Sequence, residues 1–207
     1  MKIEDGVRLS KLTTVGIGGP AQGFARPRSL AELEEAGKGI RERLGFGGEV
    51  SDPLPIEQVE LAPSGLQAPD SLTAILSDER HDRLAHALGK AYRDVVRGFR
   101  GEFPHPPDLV AHPADEADVE AVLSFCEDDG AAAIPFGGGT SVTGGVEPRI
   151  GEDYRGSVSI DLRRLDRVLE IDEQSRAARI QAGAPGPRLE DQLRERSLTL
   201  RHFPQSF

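Results

Sequence analysis

Ile134-Pro135-Phe136-Gly137-Gly138-Gly139-Thr140-Ser141-Val142-Thr143-Gly144-Gly145 is the stretch on which the reading of this chain turns. The residues before it, from Ala131 to Phe136, form an apolar run of the length of a buried strand. Three successive glycines then give the backbone dihedrals that other residues avoid, and they remove every Cβ that would keep a ligand away. Consecutive N–H groups in such a loop can converge on an anion, and the Thr140 and Ser141 hydroxyls add donors at its rim. The competing reading, a plain glycine-rich turn, does not account for the strand before the loop or for the second glycine pair after it.

Two common phosphate loops are excluded. A P-loop needs a Gly-Lys-Ser/Thr ending, and no lysine stands nearby. The dinucleotide fingerprint needs Gly or Ala where Val142 stands. A loose match at Gly16-Ile17-Gly18-Gly19-Pro20-Ala21 lacks a buried strand before it and a helix after it.

Outward from the loop, the pattern alternates strand and helix. Leu109-Val110-Ala111 reads as a short strand closed by Pro113. Asp115 caps a helix with Val119, Val122, Leu123 and Cys126 on its apolar side, ended by Gly130. Val158-Ser159-Ile160-Asp161-Leu162 alternates as a strand does, residues 167–172 and 177–182 form a hairpin, and Pro187 opens a last amphipathic helix. Residues 70–98 read as helical, with Asp70 and Ser71 as caps and Leu72, Ile75, Leu76, Leu84, Leu88 and Val95 as apolar faces. Residues 45–67 are an irregular, Pro- and Gly-rich wrap, and a helix carries Leu30, Leu33, Ile40 and Leu44. The fold class is α+β, with a main boundary near residue 104.

Bulk properties narrow the function. The 207 residues carry a net charge of −10, which opposes nucleic acid and anionic membrane as partners. No apolar run reaches the roughly 18 residues of a membrane span, and Met1-Lys2-Ile3-Glu4-Asp5 does not open a secretory signal. One cysteine, Cys126, rules out an intrachain disulfide and a cysteine-based metal site. These features predict a cytoplasmic protein. His81 and His86 read as solvated, His105 and His112 have no partner spacing, and Arg163, Arg164 and Arg167 read as a surface run; no metal site follows.

From about residue 40 onward, and over the run 83–142 in particular, the chain resembles the FAD-binding region of the alkyldihydroxyacetonephosphate synthase-like FAD-linked oxidases, in the vanillyl-alcohol-oxidase (PCMH-type) superfamily. The likeness is carried by Pro107-Asp108-Leu109-Val110 with Pro113, by Pro135 to Val142, and by Ser159-Ile160-Asp161-Leu162 and Val168-Leu169-Glu170-Ile171-Asp172. It continues through Ala182-Gly183-Ala184-Pro185-Gly186 to Pro204-Gln205-Ser206-Phe207. The resemblance implies a PCMH-type half-domain, a small βαβ-containing sheet with flanking helices, over residues 104–207, preceded by a helical and irregular region over 37–103. It implies FAD, with Pro135, Phe136, Gly137, Gly138, Gly139, Thr140, Ser141 and Val142 around the pyrophosphate and Pro204, Gln205 and Ser206 as a second contact. Gln205 replaces the family's usual acidic residue there. No histidine stands in or just before the loop, so non-covalent binding is expected.

The same resemblance places the remaining FAD domain, the substrate cap and the catalytic residues beyond Phe207, so catalytic residues are not assigned. Such a fragment is expected to bind FAD as part of a flavin-dependent oxidoreductase acting on an ether-lipid precursor or a 2-hydroxy acid. It is also expected to associate through the sheet edge that truncation exposes. Residues 9–27, within an N-terminal segment 1–36, resemble the start of UDP-N-acetylenolpyruvoylglucosamine reductase, which makes a fragment related to that flavoprotein one alternative. A non-catalytic nucleotide-binding or interaction module is the other.

Overall fold

The structure is a computed structural model that describes residues 3–4, 24–25, 28–45 and 52–202. The chain divides into two compact units, Met1–Ser51 and Asp52–Phe207. In the first, β1 (Ile3–Glu4) pairs antiparallel with β2 (Phe24–Ala25), and α1 spans Leu30–Leu44. Ser29 starts that helix by accepting the Glu32 N–H at 3.2 Å, while the Glu32 carboxylate reaches back to the Arg28 N–H at 2.7 Å. Most of 9–27, on which the reductase resemblance rests, lies outside the described residues.

The second unit holds β3 (Leu76–Ser77), α2 (Arg80–Ala85), α3 (Tyr92–Phe99), β4 (Leu109–Ala111), α4 (Glu116–Asp129), β5 (Ala131–Phe136) and β6 (Gly156–Asp161). A separate antiparallel hairpin of β7 (Val168–Asp172) and β8 (Ala177–Ile180) follows, then α5 (Gly186–Arg194). The main sheet has the order β3-β4-β6-β5, with β4, β6 and β5 parallel and β3 antiparallel at one edge. This is the α+β class expected, with a parallel βαβ unit at its centre.

Local chemistry explains these elements. The Asp115 carboxylate accepts the Asp118 N–H at 2.9 Å at the start of α4, and Gly130 ends it in the left-handed conformation with φ 66°. Val122 and Cys126 on α4 pack against Leu109, Ala111, Ala131, Val158 and Ile160 of the sheet, together with Leu66, Leu72 and Leu76. Burying a side chain such as Val158, fully excluded from solvent, contributes roughly 2 kcal/mol. The irregular wrap is tied down by polar contacts. Asp108 accepts the N–H groups of Gly65 and Ser157 at 2.7 and 2.8 Å, and Arg83 donates to the carbonyls of Pro107 and Ala62 at 2.7 and 2.9 Å.

Residues 70–98 depart from the helical expectation. Asp70–Leu72 is a single 3-10 turn, Leu76–Ser77 is a strand, and helix resumes only in α2 and α3. The i, i+3, i+4 spacing of Leu72, Ile75 and Leu76 imitates a helix face. Pairing of Leu76 with Ala111 and Ser77 with Val110 outweighs that local preference. On α3 the expected faces are reversed: Val95 is exposed and Asp94 is buried.

Candidate functional site

The parallel strands β4, β5 and β6 end on the same side, and the glycine loop leaves β5 there. In α/β sheets, ligands gather at the carboxyl ends of parallel strands. The loop is anchored from behind. The Ser141 carbonyl accepts the Lys90 N–H at 2.8 Å, and the Ser141 hydroxyl accepts the Gly145 N–H at 2.9 Å. A Cβ on Gly89 would collide with that Ser141 carbonyl, so the turn between α2 and α3 can sit on the loop only as glycine. Further along, Arg97 holds the buried Glu147 through two hydrogen bonds of 2.8 and 3.2 Å and also reaches Asp94 at 3.3 Å. The Arg97 hydrogen bonds hold the Glu147 carboxyl below its ordinary range.

The loop's own residues divide by direction. Phe136 is buried, with its ring 4.3 Å from that of His86. Gly139, at φ 65°, lies where a Cβ would stand 2.5 Å from the Phe136 ring. Gly137 and Gly138 turn the other way: a Cβ on Gly137 meets nothing within 4 Å, and one on Gly138 meets only the Thr140 methyl at 3.5 Å. Together with Thr140 they line a cavity of about 430 Å³ that is also lined by residues 182–186, the first turn of α5, Leu200 and His202. Arg163 and Arg188 also line it, as do Asp166 and Glu190. Pro135 and Val142 are exposed and do not line this cavity, and Pro204, Gln205 and Ser206 lie outside the described residues.

A buried polar cluster under the loop went unread in the sequence. His86 is 1% exposed, correcting the solvated reading. Its Nδ1 lies 2.8 Å from the Asp82 carbonyl and its Nε2 lies 3.2 Å from the Asp161 carboxylate. His112 approaches Asp82 at 3.2 Å and Asp161 at 3.5 Å. Arg163 grips Asp161 through its main-chain N–H, Nε and Nη2, so it is no free surface charge. Burial pushes the Asp161 carboxyl up, but the hydrogen bonds from His86 and Arg163 outweigh this and hold it well below the ordinary carboxylate range. Alternation along β6 puts Ser157, Ser159 and Asp161 on the face opposite Val158 and Ile160.

The cavity suits an extended diphosphate. Its glycine wall presents bare Cα positions that a side chain would fill, and two arginines, Arg163 and Arg188, are among its lining residues despite the chain's overall negative charge. Among the described residues no helix is long and apolar enough to cross a membrane.

Comparison with known proteins finds related chains. Residues 107–207 match the family described as "FAD binding domain". The alkyldihydroxyacetonephosphate synthase of Trypanosoma brucei brucei is 38% identical over 143 residues, 67% of this chain and 23% of that protein. The protein of the same name from Dictyostelium discoideum is 33% identical over 184 residues, 81% of this chain and 30% of that protein. A solved alkyldihydroxyacetonephosphate synthase superposes with a TM-score of 0.69 at 34% identity, covering 78% of this chain and 31% of that one. The chain thus spans less than a third of the length of each of these proteins. Over residues 107–207 the chain is therefore similar to the FAD binding domain of the PCMH-type FAD-linked oxidases, and its α+β structure is consistent with that domain.

Proposed function

We propose that this chain binds FAD non-covalently, with the pyrophosphate against Gly137, Gly138 and Thr140 and the adjoining segment Pro204-Gln205-Ser206 as a second contact. The single observation that carries the proposal is the open face of Gly137 and Gly138 on a cavity that Arg163 and Arg188 also line. Pro135, Phe136, Gly139, Ser141 and Val142 belong to the site by setting the path of the loop. Bound flavin supplies the electron chemistry, and the protein's share is to hold and orient it. The whole protein's activity is proposed to be that of a flavin-dependent enzyme, acting either like the alkyldihydroxyacetonephosphate synthases or on a 2-hydroxy acid. We place the start of the cofactor domain near residue 104, which the family match beginning at residue 107 supports. A cytoplasmic, reducing setting is supported by the lone Cys126, whose thiol burial pushes up to about 11.

Gly137→Val tests the assignment cleanly, because nothing lies within 4 Å of the new Cβ and φ there is not left-handed. The expected result is at least a roughly tenfold loss of FAD affinity, read from flavin absorbance retained after desalting, with an unchanged thermal midpoint. Equal FAD retention by variant and parent would sink the placement of the pyrophosphate. A parent that retains no flavin band at any FAD concentration would sink the function itself.

A further inference from the structure

The register of the sheet pairs Phe136 on β5 with Asp161 on β6, so Gly137 and Arg163 emerge from adjacent strand ends. Both line the same cavity. We propose that Arg163 is the cationic partner of the diphosphate, standing opposite the glycine loop, and that Asp161 and His86 are positioning residues that hold its guanidinium there. This rests on reading the cavity as a diphosphate site.

Three observations carry the assignment. Asp161 accepts the Arg163 main-chain N–H at 3.0 Å and Nε at 2.9 Å, and Nη2 as well, which fixes the side chain from its base to one edge of its fork. Nη1 makes no hydrogen bond among the described residues, and the side chain is 59% exposed, so donors remain for a ligand. The cavity's own carboxylates are otherwise engaged: Glu190 accepts from Thr199 Oγ1 and the Leu200 N–H, and Asp166 holds Arg188 at 2.6 Å. His86 in turn fixes Asp161 from below while its ring supports Phe136 at the root of the loop. One buried cluster therefore sets both walls of the site. A guanidinium already held in place loses less freedom when it binds than a free one does.

The test is titration of the purified chain with FAD and, separately, with ADP at several salt concentrations. Arg163→Gln is expected to weaken both ligands by a similar factor, roughly tenfold to hundredfold, and to flatten the salt dependence. Arg179→Gln removes the same charge from an exposed hairpin position and is expected to leave both affinities unchanged. Arg163→Lys restores the charge without the two-point grip on Asp161 and is expected to recover only part of the loss. Asp161→Asn is expected to lower ADP affinity in protein that remains folded by circular dichroism. Equal affinities for Arg163→Gln and Arg179→Gln would overturn the assignment while leaving the flavin reading intact. An Arg163-dependent site that binds FAD no better than ADP would keep the assignment and remove the flavin reading. A parent chain that binds neither ligand would remove both.

Discussion

Replacing Asp161 with alanine is expected to destabilise the second unit by about 3 kcal/mol, read as a lower urea midpoint at pH 7 with an unchanged slope. The carboxylate is buried and serves His86, His112 and Arg163 together. Its removal leaves His86 Nε2 buried without its Asp161 partner, and an unsatisfied buried donor costs about 1–3 kcal/mol by itself. Loss of the Arg163 main-chain and guanidinium bonds adds to this, although the exposed guanidinium regains water and so contributes modestly. A cost below about 1 kcal/mol would show that the cluster is solvated in the native state.

The same residue gives the fold an acid-sensitive component. Because the folded Asp161 carboxyl titrates below its ordinary value of 3.8, the unfolded chain binds the proton more readily than the native one. The stabilisation is complete above the ordinary value and disappears as pH falls from about 4 toward the lowered one. Urea midpoints of the parent and of Asp161→Asn should therefore differ most near neutrality and converge below about pH 4. A gap that is constant with pH would mean that the charge of Asp161 contributes nothing.

Much of the frame is legible in sequence because its signals are local. Asp115 and Gly130 mark the two ends of α4 within one segment, and the glycine triplet follows its strand directly. The α2–β6 cluster could not be read that way, since His86 and Asp161 are 75 residues apart and nothing in their spacing links them. Arg163 looks like a surface residue because Arg164 and Arg167 stand beside it, and only the register between β5 and β6, which pairs Phe136 with Asp161, brings its turn to the strand end where the glycine loop begins. Asp94 inverted the expected face of α3 for a similar reason. Arg97, itself held by Glu147 from the far end of the glycine loop, supplies the cationic partner that makes its burial tolerable. Phe136 shows the converse case. Its place in the loop motif suggests ligand contact, while its ring is committed to His86 and Gly139, so Phe136→Asp would report on folding before it reported on flavin.

Gly183→Ala is expected to be more damaging than any change in the glycine triplet's open face. A Cβ at this position would overlap the Leu162 carbonyl and stand 2.9 Å from the Leu165 carbonyl oxygen, all main-chain atoms of the turn that carries Arg163. The Gly183 N–H already donates to that Leu165 oxygen at 2.9 Å, so the two backbones are fastened where they would have to separate. A flexible side chain could yield, but this seam has none to move. Overpacking of this kind typically costs 1–3 kcal/mol, and a clash between two hydrogen-bonded backbones belongs at or above the upper end, about 3 kcal/mol. For a chain of this size that corresponds to a fall of roughly 6–12 °C in thermal midpoint. Residues 182–186 and Arg163 both line the cavity, so FAD affinity should fall together with stability. Gly137→Val should lower affinity alone. If Gly183→Ala kept the parent's midpoint and weakened only FAD, the seam would be adjustable and the glycine would serve the ligand; if both variants lowered the midpoint equally, the open face assigned to Gly137 would be wrong.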